Sequence, residues 1–83
     1  MSLDDAQGQI QANMQAIDEL SAGCDGSKNT VGEVANILEG IGAGNAGVVR
    51  EAERTLEEMV GLTASLKEMA ERASQLVSQA QGG

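Results

Sequence analysis

An all-α fold, an antiparallel helical hairpin, is predicted by three features of this chain. Read in steps of seven from its start, it gives Leu3, Ile10, Ile17, Cys24, Val31 and Leu38, an unbroken apolar ladder. A seven-residue apolar period keeps two supercoiling helices in contact, so the ladder marks a helix seam. Near the middle, Gly40-Ile41-Gly42-Ala43-Gly44-Asn45-Ala46-Gly47 breaks the pattern with four glycines, which favours a turn and leaves Asn45 to cap the second helix. The chain has no proline, so nothing forbids long helices. A single domain over 1–83 is expected, with helices at about 3–40 and 46–80, a glycine-rich turn at 40–47 and a fraying tail at 81–83.

The first helix carries a second row beside the ladder, Gln7, Met14, Ser21, Lys28 and Ala35, and an outer row of Leu20, Val34 and Ile41. Its weak stretch is Ser21 to Thr30, small, polar and interrupted by Gly23 and Gly26. Thr30 followed by Glu33 reads as a capping box opening a fresh helix. Against a break, Cys24 and Val31 keep the ladder's phase with no insertion, and both readings stand open at this level.

The second helix offers core rows Val49, Leu56, Thr63, Ala70, Val77 and Ala52, Met59, Leu66, Ala73, Ala80, flanked by Val48, Thr55, Leu62, Met69 and Leu76. Three apolar rows exceed what a two-stranded seam needs and predict contact with more than one neighbour. Arg54 with Glu58, Lys67 with Glu71 and Glu68 with Arg72 are spaced for i,i+4 ion pairs on the outer face. Folding about the turn so that facing residue numbers sum to 87 sets Leu38 against Val49, Val31 against Leu56, Cys24 against Thr63, Met14 against Ala73 and Ile10 against Val77. The expected hairpin seam is therefore Leu3, Ile10, Met14, Ile17, Cys24, Val31, Leu38, Val49, Leu56, Met59, Leu66 and Val77. Leu20, Val34, Leu62, Met69 and Leu76 remain for a second interface, with dimerisation into a four-helix bundle as the expected outcome.

Composition narrows the function. The chain has 83 residues and no Phe, Tyr or Trp, so its core is built from small aliphatic side chains and self-association or partner binding is expected. A net charge of −8, concentrated in residues 1–44, leaves no basic stripe for nucleic acid. No apolar run approaches the roughly 20 residues of a membrane span, and no basic-then-apolar leader opens the chain. Membrane insertion is not expected; the location expected is cytoplasmic, or outside after export without a standard signal peptide.

No motif points to chemistry. Gly42, Gly44 and Gly47 fit G-x-G-x-x-G, but the strand, basic surroundings and ribose-binding acid of a phosphate site are lacking, so a plain turn is expected. Asp25-Gly26-Ser27-Lys28-Asn29 has Thr30 where a calcium loop needs its sixth-position glycine and Asn36 where it needs the bidentate acid. With no His or Tyr and one Cys, no nucleophile and base come together, and neither enzymatic activity nor a cofactor or metal is expected. Lys28 on the seam is expected to run its stem along the core and hold its ammonium in water.

The length, the two helices and the central glycine turn resemble the WXG100 (ESAT-6-like) helical hairpins of bacterial type VII secretion. Gly42-Ala43-Gly44 stands where that family has its W-x-G turn, and the chain has no tyrosine for the family's C-terminal export signal. Locally, Thr55-Leu56-Glu57-Glu58-Met59 and Leu62-Thr63-Ala64-Ser65-Leu66-Lys67 are similar to chemoreceptor methylation helices. The expected function is protein–protein interaction or a structural role through helix packing, with itself or another helical protein as partner; the resemblance implies a link to a type VII-like system. The alternative is a small sensor in which Cys24 and the weak stretch 21–30 respond to redox state or a ligand.

Overall fold

The structure, a computed structural model, describes residues 2–82 as two helices, α1 (Leu3–Gly40) and α2 (Ala46–Gly82), folded back on each other into a rod of 63 × 14 × 14 Å. The all-α antiparallel hairpin is what the seven-residue ladder predicts. Ser2 opens α1 with a capping box: its hydroxyl accepts from the Asp5 N–H at 3.1 Å while the Asp5 carboxylate accepts from the Ser2 N–H at 3.2 Å. Asp4 and Asp5 also place negative charge at the positive end of the helix.

The turn closes α1 with a Schellman motif. The Ala43 N–H donates to the Leu38 carbonyl at 2.9 Å and the Gly42 N–H to the Glu39 carbonyl at 3.1 Å, with Gly42 at φ +70°. Gly42 is thus the one turn residue whose conformation requires glycine. Asn45 contributes its backbone carbonyl to the Val49 N–H at 3.3 Å; among the described residues its side chain caps nothing. The tail expected to fray at 81–83 is instead helical through Gly82, tied to α1 by the Gln81 amide, which donates to Asp4 at 2.7 Å; Gly83 lies outside the described residues.

α1 runs through Ser21–Thr30 without a break. Thr30 does not cap a new helix; its hydroxyl donates back to the Gly26 carbonyl at 3.1 Å. Asp25–Asn29 is helical too, with Lys28 reaching Asp25 at 3.5 Å. Weak local propensity is overridden because Cys24, only 6% exposed, and Val31 keep this stretch against α2.

The core is a single seam. From α1 it takes Gln7, Ile10, Met14, Ile17, Ser21, Cys24, Lys28, Val31, Ala35 and Leu38, the two rows expected less Leu3, with Gly32 buried beside them. From α2 it takes Val49, Leu56, Thr63, Ala70 and Val77, also as expected, but the row beside them is Ala46, Glu53, Val60, Lys67 and Ser74. Met59 and Leu66 stand on the surface at 40% and 45% exposure, and Ala52 and Ala80 are exposed with them. α2 is therefore rotated by about 50° from the orientation that hydrophobicity alone selects.

Candidate functional site

The rotation is accompanied by an electrostatic match along one edge of the hairpin. One flank of the α1 seam carries Asp4, Asp18, Asp25 and Glu39 at positions related by sevens. Turning α2 as observed brings its cations and polar groups onto this flank. Lys67 Nζ lies 2.8 Å from Asp18, the Gln81 amide donates to Asp4 at 2.7 Å, and the Gln7 amide donates to Ser78 at 2.9 Å and to the Ser74 carbonyl at 3.2 Å. Nearer the turn, Arg50 pairs with Glu39 and Asn36 across the helices and with Glu53 on its own helix at 2.8 Å. Had Met59 and Leu66 taken the seam, Lys67 and Ser74 would have turned away from their partners.

Four of the interhelical pairs share one register, which Gln7–Ser74 and the Arg50 pairs beside the turn do not follow. Gln7–Ser78, Gln11–Ser74, Asp18–Lys67 and Asp4–Gln81 all have residue numbers summing to 85. Relative to the expected sum of 87, α2 is displaced by about 3 Å along the axis. The same register explains Leu3, which is 45% exposed: its level neighbour across the hairpin is Gly82, which has no side chain to cover it.

Lys67 is held above the usual lysine value of 10.5, first by its hydrogen bond to Asp18 and then by that carboxylate's charge. Arg50 is pushed up likewise by its bonds to Glu53 and Glu39. A lysine proton held more tightly in the folded chain contributes stability that is fully present below the unfolded value and is lost as pH rises through the raised one. The melting temperature is accordingly expected to fall above about pH 10.5, and to fall less steeply in Lys67→Met. Thermal melts in steps up to about pH 12 check this; parallel curves would mean that the Asp18 pair contributes nothing.

All interhelical side-chain hydrogen bonds and ion pairs among the described residues lie along this polar edge. The opposite edge is apolar. It presents Val48, Leu62 and Met69, each more than 60% exposed, with Met59, Leu66 and Leu76 from α2 and Leu20, Val34 and Ile41 from α1. Of the expected seam residues, Ile10, Met14, Ile17, Cys24, Val31, Leu38, Val49, Leu56 and Val77 lie in the hairpin seam, whereas Leu3, Met59 and Leu66 do not. The five residues reserved for a second interface, Leu20, Val34, Leu62, Met69 and Leu76, are all on the surface, and Met59 and Leu66 join them.

Other chemistry finds little footing. Cys24 is a free, buried thiol within a continuous helix, so a redox reading draws no support from its placement. Among the described residues no cluster of His, Cys, Asp and Glu could hold a metal ion, no pocket is present, and no helix is long and apolar enough to cross a membrane. The i,i+4 ion pairs expected on α2 are replaced: Lys67 turns to Asp18, while Arg54 and Arg72 make no ion pair among the described residues. Set against protein-family models, curated proteins and solved structures, the chain matches none.

Proposed function

We propose that this chain is a non-enzymatic interaction module whose apolar edge packs against further helices. The observation that carries this reading is the exposed edge itself: Val48, Met59, Leu62, Leu66, Met69 and Leu76 form a continuous stripe along α2. Scattered surface aliphatics need no explanation, but a contiguous stripe rimmed by polar residues marks an interaction face. A helical partner fits it, because a straight ridge repeating every seven residues interlocks with another helix and not with a compact ligand. A role beside a type VII-like secretion system, in the cytoplasm or after export, is the narrower form of this proposal and rests on the WXG100-like shape alone.

Photo-cross-linking in the native cell tests the broader form. A cross-linking side chain at Leu62 or Met69 is expected to capture polypeptide, whether another copy or a different protein. The same group at Gln15, away from the apolar edge, is expected to capture none. Absence of any polypeptide adduct from Leu62 and Met69 would overturn the reading.

A further inference from the structure

Resting on that reading, we propose that the occupant of the apolar edge is a second copy of this chain, α2 packed antiparallel on α2 about a twofold axis beside Ser65. The rows on this edge are Val48, Thr55, Leu62, Met69, Leu76 and Ala52, Met59, Leu66, Ala73, Ala80, all exposed but the half-buried Ala73, and successive members alternate steps of four and three. They make a second, complete heptad seam on α2 that contains no charge. The hairpin's own seam on this helix, by contrast, includes Glu53 and Lys67. At 100° per residue the centres of the two seams lie about 100° apart around the helix, the separation a helix needs to touch two neighbours of a four-helix bundle.

The second seam is complementary to itself. Let two copies of α2 run antiparallel with level residue numbers summing to 128. Leu62 then meets Leu66 and Met59 meets Met69 at the centre. Farther out, Ala52 meets Leu76 and Val48 meets Ala80, small against large as interdigitating layers require. This register covers all ten positions, whereas a slide of one heptad leaves two on each helix bare. A parallel pairing would set Ala52 on Ala52 and Ala80 on Ala80, leaving gaps that the antiparallel register fills with Leu76 and Val48.

Charge agrees with shape. In the antiparallel register the flanking Glu58 lies within about 3 Å of the level of Arg72 of the second copy, twice by symmetry, close enough for the two side chains to meet, and both are exposed and free of ion pairs within the described chain. The acidic flank of α1 lies on the opposite edge and is kept away. By the register of the interhelical bonds, Leu20 stands level with Ser65, on the same apolar edge and beside the proposed axis. The nine aliphatic residues of the edge expose on the order of 900 Å², so a second copy that covers most of them buries an area of the order of the roughly 800 Å² that one partner gives a stable interface.

The test uses the purified full chain in sedimentation equilibrium, with circular dichroism to confirm folding. Glu58→Arg and Arg72→Glu are each expected to weaken dimerisation about tenfold by setting like charges together twice, and the two combined to restore it. In a Cys24→Ala background, Ser65→Cys is expected to be joined to its symmetry mate by a short bismaleimide, and Ser78→Cys, on the polar edge, is not. A monomer at hundreds of micromolar, a double variant no better than the singles, or equal cross-linking from both cysteines would overturn the proposal. A monomer whose Leu62 still cross-links to a different protein in the cell overturns self-pairing and leaves the interaction reading standing; no polypeptide adduct at all overturns both.

Discussion

Leu56→Ala is expected to destabilise the hairpin by about 2 kcal/mol, read as a lower urea midpoint at every protein concentration. Leu56 sits in the middle of a seam only two rows wide, where few neighbours can move in to fill the space. Leu62, two turns along, is 64% exposed, and its truncation removes no intrachain packing of comparable size. The loss at Leu62→Ala should therefore grow with protein concentration, because it acts on association, while the loss at Leu56→Ala should not. Equal and concentration-independent losses at both sites would mean that Leu62, and not Leu56 alone, belongs to the hairpin core.

The second large effect runs the other way. Gly23→Ala and Gly26→Ala, combined, are expected to raise stability by about 2 kcal/mol, since each replaces a helical glycine with the best helix former. A Cβ at either position meets nothing within 4 Å, so no packing loss opposes the gain. Gly32 provides the contrast. There the Glu53 carboxyl carbon lies 3.3 Å from the place a Cβ would take, and Arg50 holds that carboxylate, so Gly32→Ala should gain less than either of the others or lose. A urea midpoint that stays put or falls in the Gly23, Gly26 double variant would show that the helix is not continuous there.

The hairpin, its turn and both seam rows of α1 were legible because a period of seven sustained over the whole first half admits few architectures. The rotation of α2 was not. Ranking rows by hydrophobicity places Met59 and Leu66 inside, and that ranking takes no account of the acidic flank of the partner helix. A signal for the true orientation was present: Asp4, Asp18, Asp25 and Glu39 recur by sevens on α1, and Arg50 and Lys67 lie on the one side of α2 able to answer them. Reading charge rows alongside apolar rows would have put Glu53 and Lys67 at the seam and freed Met59 and Leu66 for the outer edge. The continuity of α1 was undecided for a different reason. Local signals at Asp25-Gly26 and Thr30 favour a break, and only packing along the opposite helix outweighs them.

The Gly42 turn also orders how the molecule can assemble. Arg50 and Glu39, beside the turn, are 11 residues apart along the chain, whereas Gln7 and Ser78, at the open end, are 71 apart. Closing the longer loop first would cost about 1.6 kcal/mol more in chain entropy than closing the shorter. The Arg50, Glu39 and Asn36 cluster is thus the least expensive contact to form between the helices, and each layer formed shortens the loop that the next must close. Chain entropy therefore favours a zipper from the turn as the order of closure, with the end where Asp4 and Gln81 meet closing last and opening first. Along that route the apolar edge is completed in the same order, Val48 first and Leu76 last, so the full length of the stripe is expected to be presented to a partner only by the closed hairpin.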